Sequence, residues 1–397
     1  MTLTSFSFFV FFAACILCYY ILPQKIRWTG LLGFSILFFV FSCPPITGIF
    51  LLGCIIVTHT CCMQIHRFKK TDPGKAKGFL ICGIIIDLSM LAVLKYSNFF
   101  ALHWNAIAAR THLNASVRIP DWPVPLGISF YTLQAAGMLA DTWREITEPE
   151  HNIFKSALFI AYYPQLTSGP IARYGELKES LFRGNAFSWT NFTHGLQRML
   201  WGLFKKLVLS ARLALVVDGI HGDMEVYNGF YIWIAAGLFM LQLYTDFSGY
   251  MDIIIGASEV FGIKLPENFR TPFFSRSVRE FWQRWHITLG AFMRDYVFYP
   301  IQHTYSFIHI RKALSQKSVE KPRTGSRPER RSYVSGFLQD YGTAEPINTS
   351  SDGGSGSGSA SFSDKRENHY GKNYGFSLRF VNLPSAGVFF RYSEHSF

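Results

Sequence analysis

Eight apolar runs, several close to twenty residues long, succeed one another through the first 260 positions of this chain. They lie at about 3–22, 28–45, 47–63, 78–100, 126–142, 152–167, 197–218 and 229–260. A helix needs roughly 20 apolar residues to cross a bilayer core of about 30 Å, because each residue advances it by only about 1.5 Å. The pattern predicts an all-α fold, a polytopic helical bundle whose spans satisfy their own backbone hydrogen bonds in lipid. The weaker runs contain Gly, Pro, Asp or Arg and are expected to be tilted, broken or re-entrant. The first run has neither a charged leader nor a small-residue cleavage site, so it reads as a retained span rather than a signal peptide. Composition agrees. Only 16% of residues are charged, against about a quarter in a soluble domain.

The net charge of +12 raises the question of nucleic acid. No recognised binding motif accompanies it, and basic loops in a membrane protein follow from topology and anionic headgroups, so no nucleic-acid partner is expected. Lys25 and Arg27 follow the first span. The loop after the third reads HRFKKTDPGKAK over residues 66–77. The positive-inside tendency puts both on the cytoplasmic side and the N-terminus outside. The segment 101–122, between spans four and five, is then external, with a glycosylation-like sequon at Asn114. All seven cysteines fall in the first 82 residues, mostly inside apolar runs. Cys15 and Cys18 have CxxC spacing and Cys61–Cys62 precede His66, but no further ligands stand at matching distance. They read as small buried hydrophobes and no metal site is expected.

Chemistry concentrates in Ser277–Pro300, SVREFWQRWHITLGAFMRDYVFYP. Ser277 followed by Glu280 is a capping-box start. Val278, Phe281, Trp282, Trp285, Leu289 and Phe292 recur at helical spacing and predict one apolar stripe. Arg279, Gln283 and His286 occupy the other face, with Gly290 one turn on, leaving room beside the imidazole. An ionisable group in such a setting is read as functional by default; a structural histidine satisfied by hydrogen bonds is the competing reading. Asp246 and Asp252 interrupt the run 229–260 and either line a polar cavity or, preferably, pair with arginines. Ser129 and Tyr131, near Gly127, are candidates to line a substrate path; no GxSxG elbow surrounds Ser129, which argues against a covalent nucleophile. Arg173, after Gly169-Pro170, reads as a cation at a helix break, and Glu267-Asn268 as a turn.

Past about Ile310 the character changes. Residues 311–331 hold eight Lys/Arg against Glu320 and Glu329, and SSDGGSGSGSASFSD follows with a flexible-linker composition. The chain divides into a membrane region at 1–310 and a basic, Gly/Ser-rich tail at 311–397 with no assigned role.

Four further segments accompany Ser277–Pro300 in a fixed order: PVPLGISFYTLQ at Pro123–Gln134, SGPIARY at Ser168–Tyr174, YTDFSGYMD at Tyr244–Asp252 and LPENFRTPF at Leu265–Phe273. Together they resemble the membrane-bound O-acyltransferase family, in its bacterial alginate O-acetyltransferase-like branch, over roughly residues 1–310. The resemblance implies transfer of an acyl group, by preference acetyl, to a hydroxyl of an extracellular or cell-wall polysaccharide. It implies no cofactor, an acyl-CoA or acyl carrier as donor substrate, a secreted or periplasmic esterase-like partner, and a multi-pass location in the cell membrane. It makes His286 the catalytic candidate, and Arg294, Asp295, Asp246 and Ser129 the substrate-binding candidates. D-alanyl transfer to teichoic acid is the near alternative; a transporter or an inactive fragment is the alternative of another class. Family members carry a second histidine in a GLWHG-like motif beyond the RDY segment, and that histidine is usually taken as the catalytic base, with the WHIT-type histidine close by; this sequence has no such motif. His303 and His309 have other neighbours, so the chain is expected to be C-terminally incomplete and inactive alone.

Overall fold

A computed structural model describes residues 1–111, 116–118, 122–223 and 225–302. All of them fall in one unit, Met1–Pro322. The tail 311–397, His303, His309 and the Asn114 sequon lie outside the described residues.

The apolar runs become helices. Helix α1 (Phe6–Ile21) opens at Ser5, whose side chain accepts the Phe8 N–H. It buries Phe8, Phe12, Cys15 and Tyr19 on one face, yet Phe6 on the opposite face is 84% exposed. A helix apolar all round has lipid as its second solvent. Helices α2 (Arg27–Ser42) and α3 (Gly48–Lys69) follow. Asp72 then caps α4 (Pro73–Arg110), accepting the Lys75 N–H at 3.1 Å. Two expectations are corrected here. The basic stretch at 66–77 is only in part a loop: residues 66–69 close α3, residues 73–77 open α4 and residues 70–72 join them. The fourth span does not end at residue 100 either, since α4 runs helical to Arg110. At about 1.5 Å per residue, its 38 residues outreach a bilayer core.

Helix α5 (Ile128–Trp143) begins after Gly127, at φ 72°. There a Cβ would fall 1.8 Å from the Leu166 carbonyl oxygen, so only glycine fits. Short helices α6 (Ile153–Ala161), α7 (Tyr163–Leu166) and α8 (Tyr174–Phe182) follow. Helix α9 (Trp189–Leu203) continues through a π-helical turn, Phe204–Ser210, into α10 (Ala211–Gly222). It packs along α11 (Phe230–Val260) at two glycine pairs, Gly195 with Gly256 and Gly202 with Gly249. The stretches Gln24–Ser42, Pro45–Lys69, Pro73–Arg110 and Phe230–Val260 are each long and apolar enough to cross a membrane. Cys15, Cys54, Cys61 and Cys62 are buried, whereas Cys82 is exposed.

The helix expected from Ser277 is two helices, α12 (Val278–Arg284) and α13 (Ile287–Phe292), followed by a second π-helical turn, Met293–Phe298, and α14 (Tyr299–Gln302). Ser277 caps α12 as expected, through the Glu280 N–H. The break at Trp285–His286 splits the apolar stripe. Trp285 sits half-buried against Phe281 and Phe269, while Val278 and Trp282 are 76% and 61% exposed. Among the described residues there is no strand, only an isolated antiparallel bridge between Phe269 and Trp285.

Candidate active site

Three segments meet around His286: the extended stretch Leu265–Thr271 after α11, the strap Gly169–Arg173 before α8, and the α12–α13 junction. His286 adopts φ 46°, ψ 53°, the left-handed region that costs a non-glycine residue of order 1 kcal/mol and persists only where its surroundings fix it. The surroundings do so from both sides. The Arg270 N–H donates to the Arg284 carbonyl and the Ile287 N–H to the Asn268 carbonyl, each at 3.0 Å. The Thr288 N–H and hydroxyl both donate to Asn268 Oδ1, at 3.2 and 2.5 Å. The Thr288 oxygen accepts the Ile171 N–H at 3.1 Å, tying the junction to the strap.

The imidazole is half-buried, edge-on to the Phe247 ring with centroids 4.9 Å apart. Burial pushes its pKa down to about 4, because the charged form loses hydration. Its Nδ1 has no hydrogen-bond partner among the described residues. Gly290 does not make room beside this ring as expected: its N–H donates to the His286 carbonyl, and a Cβ there would meet only the Trp282 carbonyl, at 3.8 Å.

Beside the junction lies a cavity of about 470 Å³, walled by α5, the strap, residues 266–270, α13 and the second π turn. Ile287 and Thr288 line it, as do Arg173, Arg270, Arg294 and Asp295; His286 does not. Burial alone would raise the Asp295 carboxyl, but the Arg294 and Arg173 guanidiniums hold it below the usual carboxylate range. Tyr296 donates its hydroxyl to Asp141 at 2.8 Å, and the Arg144 and Arg173 guanidiniums lie over its ring at 5.4 and 5.5 Å. One wall is thus a rigid lattice of paired charges around an aromatic ring.

The structure brings together some of the residues expected from sequence. Arg294 and Asp295 lie on the cavity wall, about two turns past His286. Asp246 pairs with Lys206 at 2.6 Å and Ser129 accepts from Lys95 at 3.3 Å; neither lines the cavity. Asp252 pairs with Lys205 and with Arg198, at 3.0 Å to the arginine, so pairing is the arrangement of both intramembrane aspartates. Arg198 also grips Glu267 with two nitrogens, at 2.7 and 2.6 Å, anchoring the segment that carries Asn268. Sequence reasoning assigned no role to Arg198, Thr288 or Arg144 and saw Asn268 only as part of a turn. The available signal was that Asn268 and Thr288 are the uncharged polar residues close to Glu267 and His286 in the LPENF and WHIT segments.

The sequence profile of the membrane-bound O-acyltransferase family matches residues 80–316. A probable alginate O-acetylase of Pseudomonas syringae is 31% identical over 291 residues, 73% of this chain and 55% of that protein. A peptidoglycan O-acetyltransferase of Helicobacter pylori is 32% identical over 278 residues, 63% of this chain and 51% of that protein. A teichoic acid D-alanyltransferase of Bacillus subtilis is 27% identical over 188 residues, 44% of each chain. The chain spans about half the length of the curated relatives it matches. With its apolar helices and the profile matched over more than half its length, the chain belongs to the membrane-bound O-acyltransferase family.

Proposed function

We propose that this chain supplies the acyl-transfer machinery of a membrane O-acyltransferase that acts on hydroxyls of an extracellular or cell-wall polysaccharide, with acetyl as the acyl group. The observation that carries it is His286, a neutral imidazole held in a left-handed turn next to a charged cavity. The relatives named for acetyl transfer to alginate and peptidoglycan support the acceptor class. The donor is a thioester, an acyl-CoA or an acyl carrier, which enters as a substrate. The cell membrane is the site of action, and a secreted or periplasmic esterase-like protein is the expected partner.

The low pKa constrains the role of His286. At neutral pH the ring is unprotonated and free to accept a hydrogen bond from an attacking hydroxyl. As the hydroxyl oxygen bonds to the acyl carbon, its proton passes to the imidazole. The resulting imidazolium is a strong acid in this buried setting, so handing its proton to the departing thiolate runs downhill, since a thiol holds its proton to about pH 8.5. The carbon–sulfur bond breaks, the ester remains on the acceptor and the ring returns to neutral. Arg294 and Asp295 on the cavity wall position the donor.

The test is an allele replacement, His286→Ala, at the chain's own locus, followed by mild-base release of esters from the cell's polysaccharides. Histidine proton transfer contributes about 10²–10⁴-fold, so ester-linked acetate should fall by at least that lower factor while the protein accumulates in the membrane. Unchanged ester content in a normally accumulating variant would sink the proposal. Loss of ester-linked D-alanine instead of acetate would reassign the acyl group.

A further inference from the structure

We infer that Asn268 is a positioning residue for His286: its buried side chain and main-chain carbonyl together hold the left-handed turn from which the imidazole projects. The inference rests on His286 as the proton carrier. A helix running straight from α12 into α13 would give the Thr288 N–H to the carbonyl four residues earlier, that of Arg284. That carbonyl is occupied by the Arg270 N–H, and Thr288 donates to Asn268 Oδ1 instead. Asn268 and Arg270 therefore stand in for the helix's own bonds at the point where the helix breaks. The Thr288 hydroxyl adds a 2.5 Å bond to the same Oδ1. Asn268 is wholly buried, and its Nδ2 faces Met251 Sδ at 3.0 Å. Flipping the amide would aim two donors at the Thr288 N–H, so the acceptor orientation is fixed.

Without Oδ1, the buried Thr288 N–H keeps no acceptor where it stands. Its recourse is to recover the Arg284 carbonyl, which closes α12 and α13 into one helix and carries His286 onto a helical face. A displacement of about 1 Å at a reacting group is enough to lose on the order of 10²-fold in rate. Asn268 touches no reacting atom in this arrangement; it acts through the histidine.

The readout is deuterium exchange at the His286 imidazole C2–H, followed by mass spectrometry on the purified full chain across a pH series. It reports ring pKa and solvent access whether or not the chain turns over. The wild type should show a midpoint well below 6.5. Asn268→Ala and Thr288→Val should each raise that midpoint towards 6.5 and speed exchange several-fold, and Thr288→Ser, which keeps the hydroxyl, should restore wild-type behaviour. Melting curves identify folded variants, and Thr288→Val decides the matter if Asn268→Ala does not accumulate. A folded variant with the wild-type midpoint overturns the inference. In cells, Asn268→Ala should lower ester formation about 10²-fold, and the double variant Asn268→Ala/His286→Ala should fall no further than His286→Ala. An additive loss refutes action through His286. If His286→Ala alone leaves esters unchanged, it is the proposed function that fails, and the exchange midpoints still decide Asn268.

Discussion

Replacing Gly202 by alanine puts a methyl group where two helices already touch through their backbones. The new Cβ would lie 2.5 Å from the Gly249 carbonyl oxygen, 2.8 Å from the Ile253 nitrogen and 2.9 Å from Ile253 Cγ1. Two of those atoms are backbone and cannot rotate aside, so α9 and α11 must part by roughly 1 Å to reach ordinary contact. Overpacking of this kind costs about 1–3 kcal/mol, and a backbone neighbour places it near 3. Alanine returns about 1 kcal/mol through its better helix propensity. The net loss is about 2 kcal/mol, which for a chain of this size corresponds to a melting temperature roughly 2–3 °C lower. Thermal unfolding in detergent, followed by far-ultraviolet circular dichroism, measures it. Gly33→Ala is the control: its Cβ meets nothing within 4 Å, so only the propensity gain applies and melting should hold or rise slightly. A Gly202→Ala protein melting at or above the wild type would refute the close backbone contact between these helices.

Three further outcomes follow from the structure. Arg198→Met takes the cation from Glu267 and leaves Asp252 paired with Lys205 alone, and should destabilise the fold by about 2 kcal/mol, less than loss from a fully buried pair because Glu267 keeps 38% exposure; adding Glu267→Gln should recover part of the loss in the same melting assay. His286 has a folded pKa near 4 against about 6.5 unfolded, so the unfolded chain binds the extra proton between those values and stability falls as pH drops through that window; His286→Gln should flatten this part of the melting-temperature profile. A cysteine placed at Asp72 in an otherwise cysteine-free chain should resist an impermeant thiol reagent added outside intact cells, as the Lys/Arg bias around α3 and α4 requires, and efficient labelling would invert the topology.

Helix positions were legible in the sequence because lipid and protein core make the same demand on an apolar run. The run read at 229–260 is α11 at Phe230–Val260, and Ser277 caps the helix its spacing to Glu280 implied. The break at Trp285–His286 was not legible. Apolar spacing from Val278 to Phe292 passes through it without interruption, and the bonds that win there come from Asn268 and Arg270, some seventeen residues upstream. The far end of α4 was hidden for a related reason: His103, Trp104 and Asn105 weaken hydrophobicity without removing helical propensity, and hydropathy alone cannot tell a helix leaving the membrane from a loop. Of the site, the histidine and the Arg294–Asp295 pair stood out as charges near a motif. Arg198 did not, because its two partners, Asp252 and Glu267, are distant in sequence and mean nothing until α9 lies against α11.

The charges that α9 and its π-helical extension carry bear on how the protein is made. A cation at the middle of a bilayer adds about 2.5–3.5 kcal/mol to the insertion of an isolated helix, and Arg198, Lys205 and Lys206 would each contribute if that segment left the translocon alone. Their counter-charges, Asp246 and Asp252, are synthesised some forty residues later, within the most continuously apolar stretch of this half of the chain. The earlier segment therefore gains nothing by entering lipid first. Entering together with α11 as a hairpin removes that cost, because each cation then meets its carboxylate where the paired glycines bring the two helices into contact.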